Sequence, residues 1–232
     1  MKLYALRTEY RKNPIGLTIR KPRFSWKIES KERGTMQISY HVVVREETLC
    51  GKDPAAVAWD SGIVESAQSV LVVYEGKELK AETAYSVSVE VVDNHGNTAN
   101  AKMMFETGIF DNMNFSANMI THDFPEKETS CPVFEKVFEV EKEVAKARLY
   151  VTAHGVYEIS LNGVRAGDYR MAPGWTSYHH RLQYQVYDVT QMLSENNRIE
   201  IAVGNGWYKG ILGFDCKPNR YGDRIGAFAE LH

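Results

Sequence analysis

Cysteine is scarce in this 232-residue chain: Cys50, Cys131 and Cys216 are an odd number at wide spacing, with no C-x-x-C pair. That pattern argues against a disulfide framework and against the common zinc and redox motifs, so all three are expected as free thiols. Long hydrophobic runs are also missing. No stretch approaches the length of a membrane span, and the opening Met1-Lys-Leu-Tyr-Ala-Leu-Arg-Thr-Glu-Tyr10 lacks the continuous apolar core of a secretory signal. A cytoplasmic protein without a membrane partner is the expectation, and Asn114-Phe-Ser116, a glycosylation triplet by pattern, carries little weight without such a signal. Nor is there an excess of basic charge. Lys and Arg total 28 against 30 Asp and Glu, a formal net charge of -2, which leaves nothing to track a phosphate backbone and excludes nucleic acid as the expected partner. Familiar catalytic signatures are absent as well. No H-E-x-x-H or G-x-S-x-G occurs, and the adjacent His179 and His180 would face opposite ways on a strand rather than share a metal.

What the chain does contain is strand after strand. A 44% hydrophobic content is ordinary for a globular protein. Residues 1–108 read as short strands between turn residues, among them Arg23-Phe-Ser-Trp-Lys-Ile28, Tyr40-His-Val-Val-Val-Arg45, Ser69-Val-Leu-Val-Val-Tyr74 and Tyr85-Ser-Val-Ser-Val-Glu-Val-Val92. Asp60-Ser-Gly62 marks a turn, and Asp93-Asn-His-Gly96 a tight loop with Gly96 at positive φ. About seven strands in about 100 residues is the pattern of an immunoglobulin-like or fibronectin III-like sandwich, in which Trp26 and Trp59 are core fillers.

Residues 109–133 lose the alternation and gather polar and turn residues, so they are expected to link two domains. A second β-rich run fills 134–232, with Asn162-Gly163 as a hairpin turn and Asp188 placed to cap one helical turn over 188–193. The predicted fold is therefore all-β: the first sandwich followed by a jelly-roll-like sandwich. With no turn or returning strand after Leu231-His232, the chain is expected to stop inside, or at the edge of, a larger protein.

One stretch stands apart, Val203-Gly-Asn-Gly-Trp-Tyr-Lys-Gly210. Its G-x-G-x-x-x-G spacing is one residue too long for a dinucleotide fingerprint, and no helical pattern follows. Glycines beside an amide and two amphipathic rings suit a sugar; equally, the glycines can serve a bulge and the rings a core. The candidate carbohydrate-binding residues are Glu158, Asn162, Asn205, Trp207 and Tyr208, with Trp175 and Tyr178 in the same polar and aromatic set. Asn162 is also claimed by its turn through Gly163. Asp168, Asp188, Asp215 and Asp223 lie in turn-like sequence and read as solvated carboxylates, so no catalytic pair is assigned.

Several blocks carry a resemblance. Ala147-Arg-Leu-Tyr-Val-Thr-Ala-His-Gly-Val-Tyr-Glu-Ile-Ser-Leu-Asn-Gly163, Ala172-Pro-Gly-Trp-Thr-Ser-Tyr178, Gln183-Tyr-Gln-Val-Tyr-Asp-Val189, Gly204–Gly210 and Tyr221-Gly-Asp223 resemble the N-terminal accessory domain of bacterial α-L-rhamnosidases. Pro22-Arg-Phe-Ser-Trp26, Trp59-Asp-Ser-Gly62 and Phe105-Glu-Thr-Gly108 resemble the fibronectin III-like domain ahead of it. The resemblance implies an inverting glycoside hydrolase whose acids sit on a downstream (α/α)6 barrel, so no catalytic residue is carried over here. It implies a segment that positions that catalytic domain and binds rhamnose-containing glycans, with calcium as an aid in some members. The alternatives are a purely structural or interaction module, and a hydrolase acting alone, which the lack of barrel sequence disfavours.

Overall fold

The structure, a computed structural model, describes residues 1–48, 56–111, 115–125 and 130–232; Cys50 and Asn114 fall outside them. The chain forms two compact units, Met1–Asn112 and Met113–His232. Each is an antiparallel β-sandwich, and among the described residues helix is confined to single turns.

In the first unit, β1 (Lys2–Thr8), β2 (Arg23–Glu29) and β5 (Val72–Val73) make one sheet in the order β1-β2-β5. The other runs β4-β3-β6-β7, from β3 (Gln37–Glu46), β4 (Val57–Glu65), β6 (Ala84–Asp93) and β7 (Thr98–Glu106). The period of two read in the sequence is the core itself: Tyr85, Val87, Val89 and Val91 of β6 are all buried beside Val42 and Val44 of the neighbouring β3, in one core with Phe24 and Trp26 of β2. Trp26 is 1% exposed, and its indole N–H donates to Gln37 Oε1 at 2.8 Å. The Gln37 amide in turn donates to the carbonyls of Ser66 and Gln68, so the polar end of a large buried ring is paired rather than stranded. Trp59 is partly buried and rests on Phe24 and Tyr74.

Two local expectations change. Asp60-Ser-Gly62 does not end a strand. It forms a bulge inside β4, where the pairing with β3 slips between His41 and Val43 and Ser61 Oγ accepts the Val42 N–H at 2.9 Å. The bulge lets the strand continue instead of turning. Ser69–Tyr74, although regular in pattern, yields only the two-residue β5, because Leu71 adopts φ 55° and breaks the extended run. Gly96 does lie at positive φ, 80°.

The second unit stacks two four-stranded sheets. One runs β13-β10-β15-β8 and the other β12-β11-β14-β9, using β8 (Ile120–Thr121), β9 (Val133–Glu139), β10 (Arg148–His154), β11 (Val156–Leu161), β12 (Val164–Arg165), β13 (Gln185–Asp188), β14 (Asn196–Gly204) and β15 (Gly226–Leu231). Its core is mostly aliphatic, with Leu149, Val151, Ala153, Ile159, Leu161, Ile201, Val203 and Ala227 between the sheets, joined by the buried Tyr157 and Tyr187. Strand β10 is buried on both faces, because Phe115 lies against Tyr150, Tyr184 and Phe228 on the side away from the core. Asn162 and Gly163 both take positive φ, 55° and 76°, as a two-residue hairpin turn requires. Over 188–193 a 3-10 turn forms at Thr190–Met192, with Asp188 Oδ1 accepting the Thr190 N–H at 3.1 Å.

The outer face of the second sheet carries a ladder of matched charges. Arg165 and Arg170 both reach Glu158, and Arg198 reaches Glu135 and Glu200.

Candidate functional site

The Gly204–Gly210 stretch, whose glycines suited a bulge and which showed no helical pattern, instead leaves β14 and closes into one helical turn, α1 (Gly206–Lys209). Gly206 makes this possible. Its φ is 49°, and a Cβ there would stand 2.6 Å from Val156 Cγ1 and 3.0 Å from the Val156 nitrogen, so only glycine allows the turn to seat against β11. The consequence is that Trp207 and Tyr208 are carried on a fixed turn at the end of the sandwich rather than inside it.

There they join residues from two other segments. The rings of Trp175 and Trp207 are parallel within 5° with centroids 6.2 Å apart, and Trp175 is 57% exposed. The Trp175 indole N–H donates to the Tyr221 hydroxyl at 3.3 Å. Tyr221 and Tyr208 each meet the Tyr178 ring edge-on, and the Tyr178 hydroxyl donates to the Gly174 carbonyl at 2.9 Å. Tyr208 stacks on His154 with centroids 4.5 Å apart and an interplanar angle of 3°. Burial pushes the Tyr208 and Tyr178 hydroxyls up, with Asp223 and Tyr221 respectively adding to it, and holds the His154 imidazolium below its usual value. The array thus has a packed side, His154–Tyr208–Tyr178, and an exposed side, Trp175 with Trp207. Asn205 is exposed beside α1, and no hydrogen bond engages its side-chain amide among the described residues.

The five sequence-predicted residues therefore divide. Asn205, Trp207 and Tyr208 share one end of the unit. Asn162 stands at the far end of β11, about 20 Å away at the usual strand rise. Its side chain is spent: Nδ2 donates to the Met192 carbonyl and to Asn197 Oδ1 at 2.9 and 3.0 Å, and Oδ1 accepts the Arg198 N–H at 2.8 Å. Its place in the expected sugar site is corrected to that of a turn residue stitching the hairpin to β14. Glu158 lies mid-strand, held by Arg170 and Arg165 at 3.0 and 3.2 Å. Glu158, Asn162 and Asn205 consequently cannot share a calcium ion, and among the described residues no three His, Cys, Asp or Glu side chains gather to hold a metal. Trp175, Tyr178, Tyr221 and His154 complete the array. The first two belonged to the aromatic set in the sequence, whereas Tyr221 and His154 lay within blocks of resemblance with no site role read for them and are brought in by the packing of α1.

The chain is thus two tandem antiparallel β-sandwiches, the second ending in a surface array of aromatic rings. Residues 3–111 match the family described as the Rha78A-like, N-terminal immunoglobulin domain, and residues 142–232 match the α-L-rhamnosidase N-terminal domain. An α-L-rhamnosidase of Formosa agariphila is 34% identical over 218 residues, which cover 88% of this chain and 23% of that protein. The solved α-L-rhamnosidase of Aspergillus terreus superposes with a TM-score of 0.88 at 31% identity, over 99% of this chain and 27% of that one. That of Dictyoglumus thermophilum does so with a TM-score of 0.84 at 29% identity, again over 99% and 27%. The chain corresponds to the N-terminal, non-catalytic domains of larger α-L-rhamnosidase-like proteins. It spans about a quarter of the length of each of these three proteins.

Proposed function

We propose that this chain is the non-catalytic N-terminal segment of an α-L-rhamnosidase, that it positions the catalytic domain of that protein, and that its second unit makes a shallow contact with rhamnose-bearing glycans. The observation that carries the sugar reading is the exposed Trp175 ring, held parallel to Trp207, with the unengaged Asn205 amide two residues before Trp207 at the start of α1. An indole face suits the C–H surface of a 6-deoxy sugar, and a free amide supplies both a donor and an acceptor to neighbouring hydroxyls. Tyr208 supports this ledge from behind through His154 rather than touching the ligand.

Binding is weak in this reading. A monosaccharide of about ten heavy atoms, trading water for protein hydrogen bonds, reaches roughly -4 to -6 kcal/mol, millimolar to high micromolar. Titration of the 232-residue chain with L-rhamnose, followed by calorimetry and by indole fluorescence, is expected to give a saturable response that Trp175→Ala and Asn205→Ala abolish while the melting temperature holds. No saturable response in the parent protein would reduce the ledge to architecture and leave the positioning role alone. Release of aryl alcohol from an aryl α-L-rhamnoside by the 232-residue chain is not expected, because the chain corresponds to the non-catalytic N-terminal domains of larger α-L-rhamnosidase-like proteins. Turnover abolished by mutating one of its own acids would overturn the non-catalytic assignment.

A further inference from the structure

Two asparagines in the chain are followed by glycine, in Asn162-Gly163 and Asn205-Gly206. An asparagine so placed carries a reaction of its own. The backbone nitrogen of the next residue can attack the side-chain carbonyl carbon, and glycine, having no Cβ, leaves that approach open and the backbone free to turn. Whether the reaction runs in a folded protein depends on how firmly the side-chain amide and the backbone around it are held.

The fold holds the two pairs very differently. The Asn162 amide is bound at both ends, Nδ2 by the Met192 carbonyl and Asn197 Oδ1, Oδ1 by the Arg198 N–H. Its backbone is bound too: the Asn162 N–H donates to the Arg198 carbonyl at 2.8 Å, and the hairpin closes on either side through Leu161↔Val164 and Ser160↔Arg165. Freeing Asn162 breaks all of these together. Asn205 is exposed, and no hydrogen bond engages its amide among the described residues. Ring closure needs the Cβ and the next nitrogen eclipsed about the Cα–C bond. At φ −56° and ψ −39° Asn205 is not so arranged, so its ψ must first turn. That turn gives up the bond from the Lys209 N–H to the Asn205 carbonyl, one of two backbone bonds, each 3.1 Å, that close α1. A lone helical turn has no neighbouring turns to reinforce it, and its first residue opens at small cost.

We propose that Asn205 is a site of spontaneous deamidation in the folded protein and that Asn162, with the same following residue, is not. The Gly206 nitrogen bonds to Asn205 Cγ, the Cγ–Nδ2 bond breaks, and Nδ2 leaves as ammonia with the proton given up by the Gly206 amide. The five-membered imide left behind takes up one water at either of its carbonyls, which yields an aspartyl or an isoaspartyl residue. No oxidant, metal or cofactor is consumed. Either product replaces a neutral group that both donates and accepts with a carboxylate that only accepts, two residues before Trp207. Under the sugar reading above, on which this consequence rests but the modification does not, the ledge loses its amide donor and the rhamnose response declines as the protein ages.

Peptide mapping by mass spectrometry, with isoaspartate resolved from aspartate, follows both sites in the 232-residue chain held in mildly alkaline buffer, folded and in urea. In the folded chain, conversion at Asn205 is expected to be at least about tenfold faster than at Asn162. In urea, where only the dipeptide matters, the two rates are expected to agree within about threefold. Asn205→Gln should remove the faster phase of ammonia release and leave conversion at Asn162 unchanged. Equal rates at the two sites in the folded chain would overturn the proposal. So would an Asn205 that stays intact over a period in which the urea-unfolded chain converts. None of these readouts contains a sugar, so the modification stands or falls apart from rhamnose binding.

Discussion

The two units place the same residue type in opposite ways. In the first, Trp26 is sealed between sheets with its N–H paired to Gln37; in the second, Trp175 and Trp207 sit at one end of the sandwich, and the buried core holds aliphatic residues with Tyr157 and Tyr187 but no tryptophan. The difference follows from where each tryptophan falls in the chain. Trp26 occupies an alternating strand position, so the pleat turns it inward, whereas Trp175 and Trp207 follow glycines in segments that have already left the sheets. A large ring inside a sheet stabilises the fold, and one on a turn at the sandwich end is available for contact.

The widest gap between the units is expected in denaturation. Trp26→Ala should cost about 3–5 kcal/mol, since it opens a cavity and leaves the Gln37 amide oxygen without its donor. A urea series giving less than about 1 kcal/mol would show that the first core relaxes around the loss. Asn162→Ala comes next, at about 1–3 kcal/mol, because three hydrogen bonds disappear and a non-glycine residue remains at φ 55°. Asn162→Gly restores the backbone but not the bonds, so comparing the two variants divides the cost.

Acid should separate the units next. His154 in the second unit has its pKa depressed by burial, so the unfolded chain binds the proton more readily, and stability falls as pH drops below the usual histidine value of 6.5. In the first unit Glu9 is held below its usual 4.5, chiefly by hydrogen bonds from the Arg23 side chain. Its contribution is complete above 4.5 and fades only as pH falls further toward its own lowered value. Between pH 7 and 5 the second unit should thus weaken while the first holds, and His154→Phe should flatten that slope. Equal weakening of both units would contradict this assignment. The smallest stability effect belongs to Trp175→Ala, within about 0.5 kcal/mol by thermal melt. A larger loss would mean that the exposed ring is structural after all.

Much of this was legible in the sequence. The alternation at Tyr85, Val87, Val89 and Val91 marks a buried face, and Asn162-Gly163 names its own turn, because period and turn chemistry are local properties. What was not legible depended on tertiary approach. Ser69–Tyr74 alternates well yet shrinks to two strand residues through the conformation of Leu71, and Asp60-Ser-Gly62 writes a bulge in the letters of a turn. At the site, the stretch around Trp207 was identifiable from its glycines and rings. Its helical turn required the contact of Gly206 with Val156, and the loss of Asn162 to the hairpin required knowing that Arg198 and Met192 lie within reach.

The charge ladder on the outer face of β11, β14 and β9 bears on how this unit meets its surroundings. Arg165, Arg170 and Arg198 are matched against Glu158, Glu135 and Glu200, so the face projects little field beyond a Debye length. A surface of that kind neither draws in nor repels ions, and it gives an uncharged visitor the same approach rate in dilute buffer as in strong salt. For a module whose ligand would be a neutral sugar, the kinetics of encounter would then be set by diffusion and ring geometry alone, indifferent to the ionic medium.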